Sequence, residues 1–115
     1  MNQFFTRISE VELERLRNGK LYQEFLRVPT MSAGLYVLAA GATDTQTPHH
    51  EDEIYYVIRG KGRFRAGVRN QGRGQEEDHE VSAGSVLFVP AGVEHRFHDI
   101  VEELAALVFF APAET

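Results

Sequence analysis

The sequence predicts an all-β domain, an antiparallel sandwich or barrel preceded by one short helix. Three observations predict it. Short segments rich in β-branched, aromatic and aliphatic residues follow one another from Tyr22 onward. Gly, Pro, Asn or Asp stands at most of their boundaries, as turn chemistry requires. The helical pattern is confined to the stretch before Lys20, so helices and strands do not alternate.

The helix comes first. Ser9 opens "SEVE", a capping-box pattern with Glu12 three residues on. A charged helix is expected from about Glu10 to Asn18, ended by Gly19. Val11, Leu13 and Leu16 give it a weak apolar face, suited to packing on one side. The strand segments are then "YQEFLRV", "GLYVLAA", "EIYYVIR", "RFRAGV", "HEV", "VLFV", "EHRFHDI" and "LAALVFF". "RNQGRGQEED", Arg69 to Asp78, is one long polar loop; no helix pattern follows its glycines, so it reads as a hairpin loop and not as a phosphate cradle. In "EIYYVIR", Tyr55 and Val57 share the face of Glu53, while Ile54, Tyr56 and Ile58 take the other. Both faces are apolar, so something covers the second one, either the N-terminal segment or another copy of the chain. A homodimer is the expectation.

Composition narrows the function classes. With 115 residues and 43% hydrophobic content the chain is one domain with a real core. It divides into residues 1–34, a helix and strand packing on the barrel or on a dimer partner, and residues 35–115, the barrel itself. There is no cysteine, so disulfides and thiolate chemistry are excluded and any metal is held by nitrogen and oxygen. The net charge of -5 argues against nucleic acid and against anionic membrane as partners. No apolar run approaches a membrane span, and the acidic N-terminus lacks a signal-peptide core, so a cytoplasmic location is expected.

The chemistry-bearing residues fall in two segments. In "TPHHEDEIYYVIRGKG", Thr47 to Gly62, the strand alternation puts His49, Glu51 and Glu53 on one face and His50 and Asp52 on the other. In "GSVLFVPAGVEHRFHD", Gly84 to Asp99, an apolar strand runs into a "PAG" turn; His95 and Phe97 share a face and His98 opposes them. His50 and His98 face away from the proposed site and read as solvated side chains. Asp52 reads as a surface or turn residue, and Glu51 as part of the loop before the strand.

These segments resemble the two motifs of the cupin superfamily. In the first, Glu53, six residues and Gly60 match, as does His49 four positions before the glutamate; Gly41 lies upstream, two residues beyond the usual spacing. In the second, Gly84, Pro90, Gly92 and His95 match in full spacing, with Asp99 replacing an asparagine. The resemblance covers roughly Leu35 to Phe110. It implies a double-stranded β-helix, the jelly-roll cupin barrel, with metal ligands at its mouth. Carried over residue by residue, the ligands are His49, Glu53 and His95. The first family histidine is Thr47 here, which leaves two histidines and one carboxylate, a facial-triad set with open positions. One divalent transition metal is expected: iron, manganese, zinc, nickel or copper. Gln46 or His50 stands near enough to supply a fourth ligand if the strand starts late or bulges. Tyr55, two residues after Glu53, is the candidate catalytic hydroxyl. Tyr55, Phe64, Phe88 and Phe97, with Tyr36 and Phe110, are candidate pocket walls, and Arg63 and Arg65 candidate contacts for an anion.

The resemblance implies small-molecule chemistry. A dioxygenase-like or related metalloenzyme is the first reading, on ligand type. A non-catalytic module that binds a small molecule or a metal is the second, and Thr47 is the feature that favours it. A metal-free epimerase, with His95 and Tyr55 as acid and base, is a third.

Overall fold

The computed structural model describes residues 1–67 and 76–115. One helix, α1 (Ile8–Asn18), precedes six strands: β1 (Tyr22–Val28), β2 (Met31–Leu38), β3 (Asp52–Ala66), β4 (Glu77–Ser82), β5 (Val86–Val89) and β6 (His95–Ala111). All the pairings are antiparallel, in the order β1-β2-β6-β3-β4, with β5 also on β3.

The helix begins earlier than the capping box suggests. Arg7 occupies the N-cap with an extended backbone, and no side chain caps the helix; the Glu10 and Val11 amides both donate to the Arg7 carbonyl. Ser9 therefore lies inside the first turn. The C-terminus is as expected, with Gly19 left-handed and its N–H donating to the Arg15 carbonyl. Of the three apolar helix residues only Val11 is buried; Leu13 and Leu16 are exposed. Val11 packs on Leu35, Val37 and Ala105, on the outer face of β2 and β6.

Two pairs of expected strands are in fact single long ones. "EIYYVIR" and the first four residues of "RFRAGV" join as β3, and "EHRFHDI" from His95 onward joins "LAALVFF" as β6. The two long strands pair with each other from Glu53↔Phe110 at one end to Ala66↔His95 at the other. At about 3.3 Å per residue, a straight ladder from Glu53 to Ala66 would span roughly 40 Å. Instead it bends back on itself, with register shifts between Val57 and Arg63 on β3. Below the bend β3 pairs with β5, and above it with β4. The two arms face each other and enclose the core. Tyr55 from one arm meets Phe64 and Phe97 from the other, at ring separations of 5.6 and 5.1 Å. This is an antiparallel sheet folded over on itself, consistent with the expected jelly-roll cupin barrel.

Gly60 sits at the bend with φ +97°, and a side chain there would overlap the backbone of Glu103 and Leu104 on β6. Only glycine permits that approach. Of the loop expected from Arg69 to Asp78, residues 69–75 lie outside the described residues, while Glu77 and Asp78 belong to β4.

The second face of the central strands is only partly covered. Ile58 packs beside α1. Ile54, Tyr56, Val86 and Phe88 remain 43%, 42%, 65% and 60% exposed on the outside of β3 and β5. Phe88 is thus an outer-face residue and does not line a pocket. No helix among the described residues is long and apolar enough to cross a membrane.

Gly60→Ala is expected to cost about 3 kcal/mol or more, because it combines a disfavoured φ with a backbone overlap. Gly19→Ala, also left-handed but with nothing within 4 Å of the added carbon, should cost about 1 kcal/mol. Urea denaturation of the two variants checks the difference.

Candidate metal centre

The bent ladder brings together residues from its two opposite ends. Glu53 opens β3 and His95 opens β6, yet their side chains meet inside the barrel. His49 comes from the segment before β3. One donor atom from each of His49, Glu53 and His95 lies within 4.8 Å of the others. Two backbone contacts fix the segments to each other: the Gly92 N–H donates to the His49 carbonyl (2.7 Å) and the Ala91 N–H to Asp52 Oδ1 (2.9 Å). The "PAG" turn of the second segment is therefore latched onto the first. Asp52 serves this turn and not the site.

The protonation pattern follows from the partners. His95 Nδ1 lies 2.9 Å from the Val93 carbonyl, which can only accept, so Nδ1 carries the proton. In the neutral ring Nε2 then presents a lone pair, and in the protonated ring it donates. It faces Glu53 Oε1 at 2.7 Å, with side-chain exposures of 0% and 1%. Despite that approach, His95 Nε2 and both Glu53 oxygens have no hydrogen bond of acceptable geometry. Two buried acceptors held this close require a cation or a proton between them. Burial alone pushes the His95 pKa down, but Glu53 and the Val93 carbonyl outweigh it, and the net direction is upward.

His49 is held from both sides. Its Nε2 lies 3.2 Å from Gln46 Oε1, and its Nδ1 lies 3.2 Å from Glu114 Oε2. A metal-ligating histidine characteristically gives its second N–H to a carboxylate, and Glu114 is placed to receive it. His49, Glu53 and His95 supply two imidazoles and a carboxylate with donor atoms within 4.8 Å of one another, a donor set of the kind a divalent transition ion takes.

Gln46, and not Thr47, turns inward. Residues 43–50 are not in a strand, so strand alternation does not apply to them, and Thr47 is exposed. The Gln46 amide is oriented by Asp44, whose Oδ2 accepts from Gln46 Nε2 (2.9 Å) and from the Phe97 N–H (2.9 Å). Asp44 Oδ1 accepts from the Tyr36 hydroxyl (2.8 Å) and more distantly from the Gln46 N–H (3.3 Å). With its NH2 committed, Gln46 turns Oε1 toward His49 and the Tyr55 hydroxyl, which donates to it at 3.0 Å. Burial and the charge of Glu53 push the Tyr55 phenol well above its ordinary pKa, against the opposing effect of the Gln46 contact. Tyr55 is a neutral donor here.

His50 and His98 lie away from the site, as the sequence suggests, while Glu51, Arg63 and Arg65 take roles it does not. His50 is exposed. Glu51 is buried and accepts from the backbone and hydroxyl of Thr115, which ties down the C-terminal segment. His98 and Arg63 pair with Asp78 on the outside of the barrel. Arg65 lies near Glu76, in a polar recess that also reaches His95. Sequence reasoning missed Asp44, Glu114 and Tyr22. The first is an aspartate in a polar loop, and the other two act through contacts with distant segments. None carries a local signal.

A family model described as Cupin domain matches residues 34–111. An uncharacterized protein of Streptomyces coelicolor is 46% identical over 109 residues, 95% of this chain and 96% of that one. Among solved structures, BH2720 from Bacillus halodurans superposes with a TM-score of 0.72 at 20% identity, over 96% of this chain and 82% of that one. A variant of the oxalate decarboxylase of Bacillus subtilis superposes with a TM-score of 0.69 at 23% identity, over 79% of this chain. This chain spans only 25% of that enzyme's length. At these identities the two solved structures bear on the fold.

Asp44→Ala removes one acceptor from several buried donors. It is expected to destabilise the protein by about 3 kcal/mol, whereas Tyr36→Phe, which removes one donor, should cost about 1 kcal/mol. Denaturant midpoints of the two variants provide the check.

Proposed function

The chain belongs to the cupin family, and from that premise we propose that it binds one divalent transition metal through His49, Glu53 and His95 and acts on a small organic molecule beside it. The observation that carries the reading is the cluster of His49, Glu53 and His95, whose donor atoms lie within 4.8 Å of one another around a buried Glu53–His95 contact of 2.7 Å. A 2-His-1-carboxylate set with open positions suits iron(II) and oxygen chemistry, so a dioxygenase-like reaction is the preferred class. The bound ion would supply Lewis acidity or redox capacity. The chain's own residues do the rest. Glu114 orients His49, Val93 fixes the tautomer of His95, and Asp44 turns the Gln46 oxygen inward as fourth ligand in place of the absent histidine. Tyr55 holds a proton at its hydroxyl, directed at Gln46 Oε1 and available to a bound molecule if Gln46 moves onto the metal.

The second reading is a metal-binding module without turnover. Thr47 at the position of a family histidine favours it, and the two readings share the same ligands. Oxygen uptake by the metal-loaded protein separates them.

Elemental analysis of wild type should give one metal per chain, absent in His95→Ala. A wild type that stays metal-free after being offered iron, manganese, zinc, nickel and copper overturns the reading. Gln46→Ala should weaken metal binding about 10- to 100-fold, and His50→Ala should leave it unchanged, as read by calorimetric titration.

We also propose a homodimer through the outer face of β3 and β5. Ile54, Tyr56, Val86 and Phe88 form one apolar surface there that a second copy would cover with the same surface. Light scattering should give a dimer mass for wild type and a monomer mass for Phe88→Glu, with metal content unchanged. A wild-type monomer at all concentrations overturns it.

A further inference from the structure

A chamber of about 190 Å³ opens beside the candidate metal centre and shares His49, Gln46 and Tyr55 with it. Its walls include Tyr22, Tyr36, Val108 and Phe110, with His49 and Glu114 at one side. The aromatic rings frame it. Tyr22 stands edge-on to Tyr36 and to Phe110, at centroid separations of 6.5 and 6.4 Å, and Phe110 stands edge-on to His49 at 5.0 Å. A cavity of about 150 Å³ with apolar walls accepts benzene, so this chamber has room for one ring and a small substituent.

Its polar groups are mostly committed. Tyr36 donates to Asp44 and Tyr55 to Gln46. The Tyr22 hydroxyl is different: it is buried and has no hydrogen-bond partner. A buried hydroxyl without a partner costs free energy that a ligand acceptor would recover. The position of this ring is built in. Gly34 on β2 lies under it, and any side chain at Gly34 would overlap the Tyr22 ring. Burial, reinforced by the charges of Glu114 and Glu24, pushes the Tyr22 phenol upward, so it keeps its proton. No lysine or arginine is among the described residues of the wall, while Glu114 is, so in the metal-free protein an anionic ligand finds no counter-charge there.

We propose that the Tyr22 hydroxyl is the specificity determinant for the ligand of this chamber, a small uncharged aromatic compound carrying one hydrogen-bond acceptor such as a carbonyl. The proposal extends the metal-site reading to its ligand, and takes from that reading only that His49 faces the chamber. The Tyr22 hydroxyl donates to the acceptor, the rings of Tyr36 and Phe110 pack on the aromatic body, and the other end of the molecule abuts His49.

The test uses three probes of similar size on the full chain: acetophenone, ethylbenzene, which lacks the acceptor, and benzoate, which is charged. Affinities are read by ligand-observed NMR for wild type, Tyr22→Phe and Gly34→Ala, each with and without added iron(II). Acetophenone should bind metal-free wild type about tenfold more tightly than either of the other two. Tyr22→Phe should bring acetophenone to the level of ethylbenzene and leave ethylbenzene unchanged. Gly34→Ala, which displaces the ring, should weaken both neutral probes. The proposal is overturned if acetophenone fails to bind, if benzoate binds the metal-free protein as well as acetophenone does, or if Tyr22→Phe preserves the preference. Metal content, measured on the same samples, separates this result from the metal reading. A preference for acetophenone in protein that takes up no iron leaves the chamber proposal standing and removes the metal one.

Discussion

The whole molecule depends on one ladder closing on itself. β3 and β6 pair along nearly their full lengths, and their two ends would be far apart if the pair were straight. The bend at Gly60 lets the starts of the two strands meet. Because Glu53 and His95 are those starts, the closure that makes the core also makes the site. The site is positioned by rigid strands on two sides and by a loop, residues 43–50, on the third. That loop is held by Asp44, a buried carboxylate surrounded by donors from Gln46, Phe97 and Tyr36. Buried charge is costly unless it is fully hydrogen-bonded, and Asp44 meets that condition.

Glu53 meets a different partner. Its side chain and that of His95 are almost fully buried, and they face each other at 2.7 Å as an ion pair, with geometry short of a regular hydrogen bond. Asp44 is satisfied by donors from loop and strands alike, whereas Glu53 faces the His95 ring.

Much of this was legible in the sequence. "YQEFLRV" and "VLFV" coincide with β1 and β5, because their ends are marked by turn residues. The grouping of His49, Glu53 and His95 was implied by the resemblance to the two cupin motifs, and the three side chains do come together. The merging of strands was not. Gly60 and Gly62 read as strand ends locally, yet the pairing of β3 with β6 carries the strand through them. Gln46 and Thr47 could not be told apart, because alternation holds only inside a strand and these residues precede one. Glu51 read as a loop residue because its burial comes from Thr115, at the far end of the chain. Tyr22 read as an ordinary strand residue, since its buried hydroxyl depends on Gly34 across the hairpin.

Asp44 touches both halves of the site at once. It accepts from Tyr36, a wall of the aromatic chamber, and from the amide of Gln46, which faces His49. A molecule that shifted Tyr36 would alter the acceptor that aims Gln46. Were the chamber and the proposed metal site both occupied, the two occupancies would share one free-energy term, and such a term is reciprocal: whatever the chamber's occupant did to the affinity for the ion, the ion would do in equal measure to the affinity for the occupant.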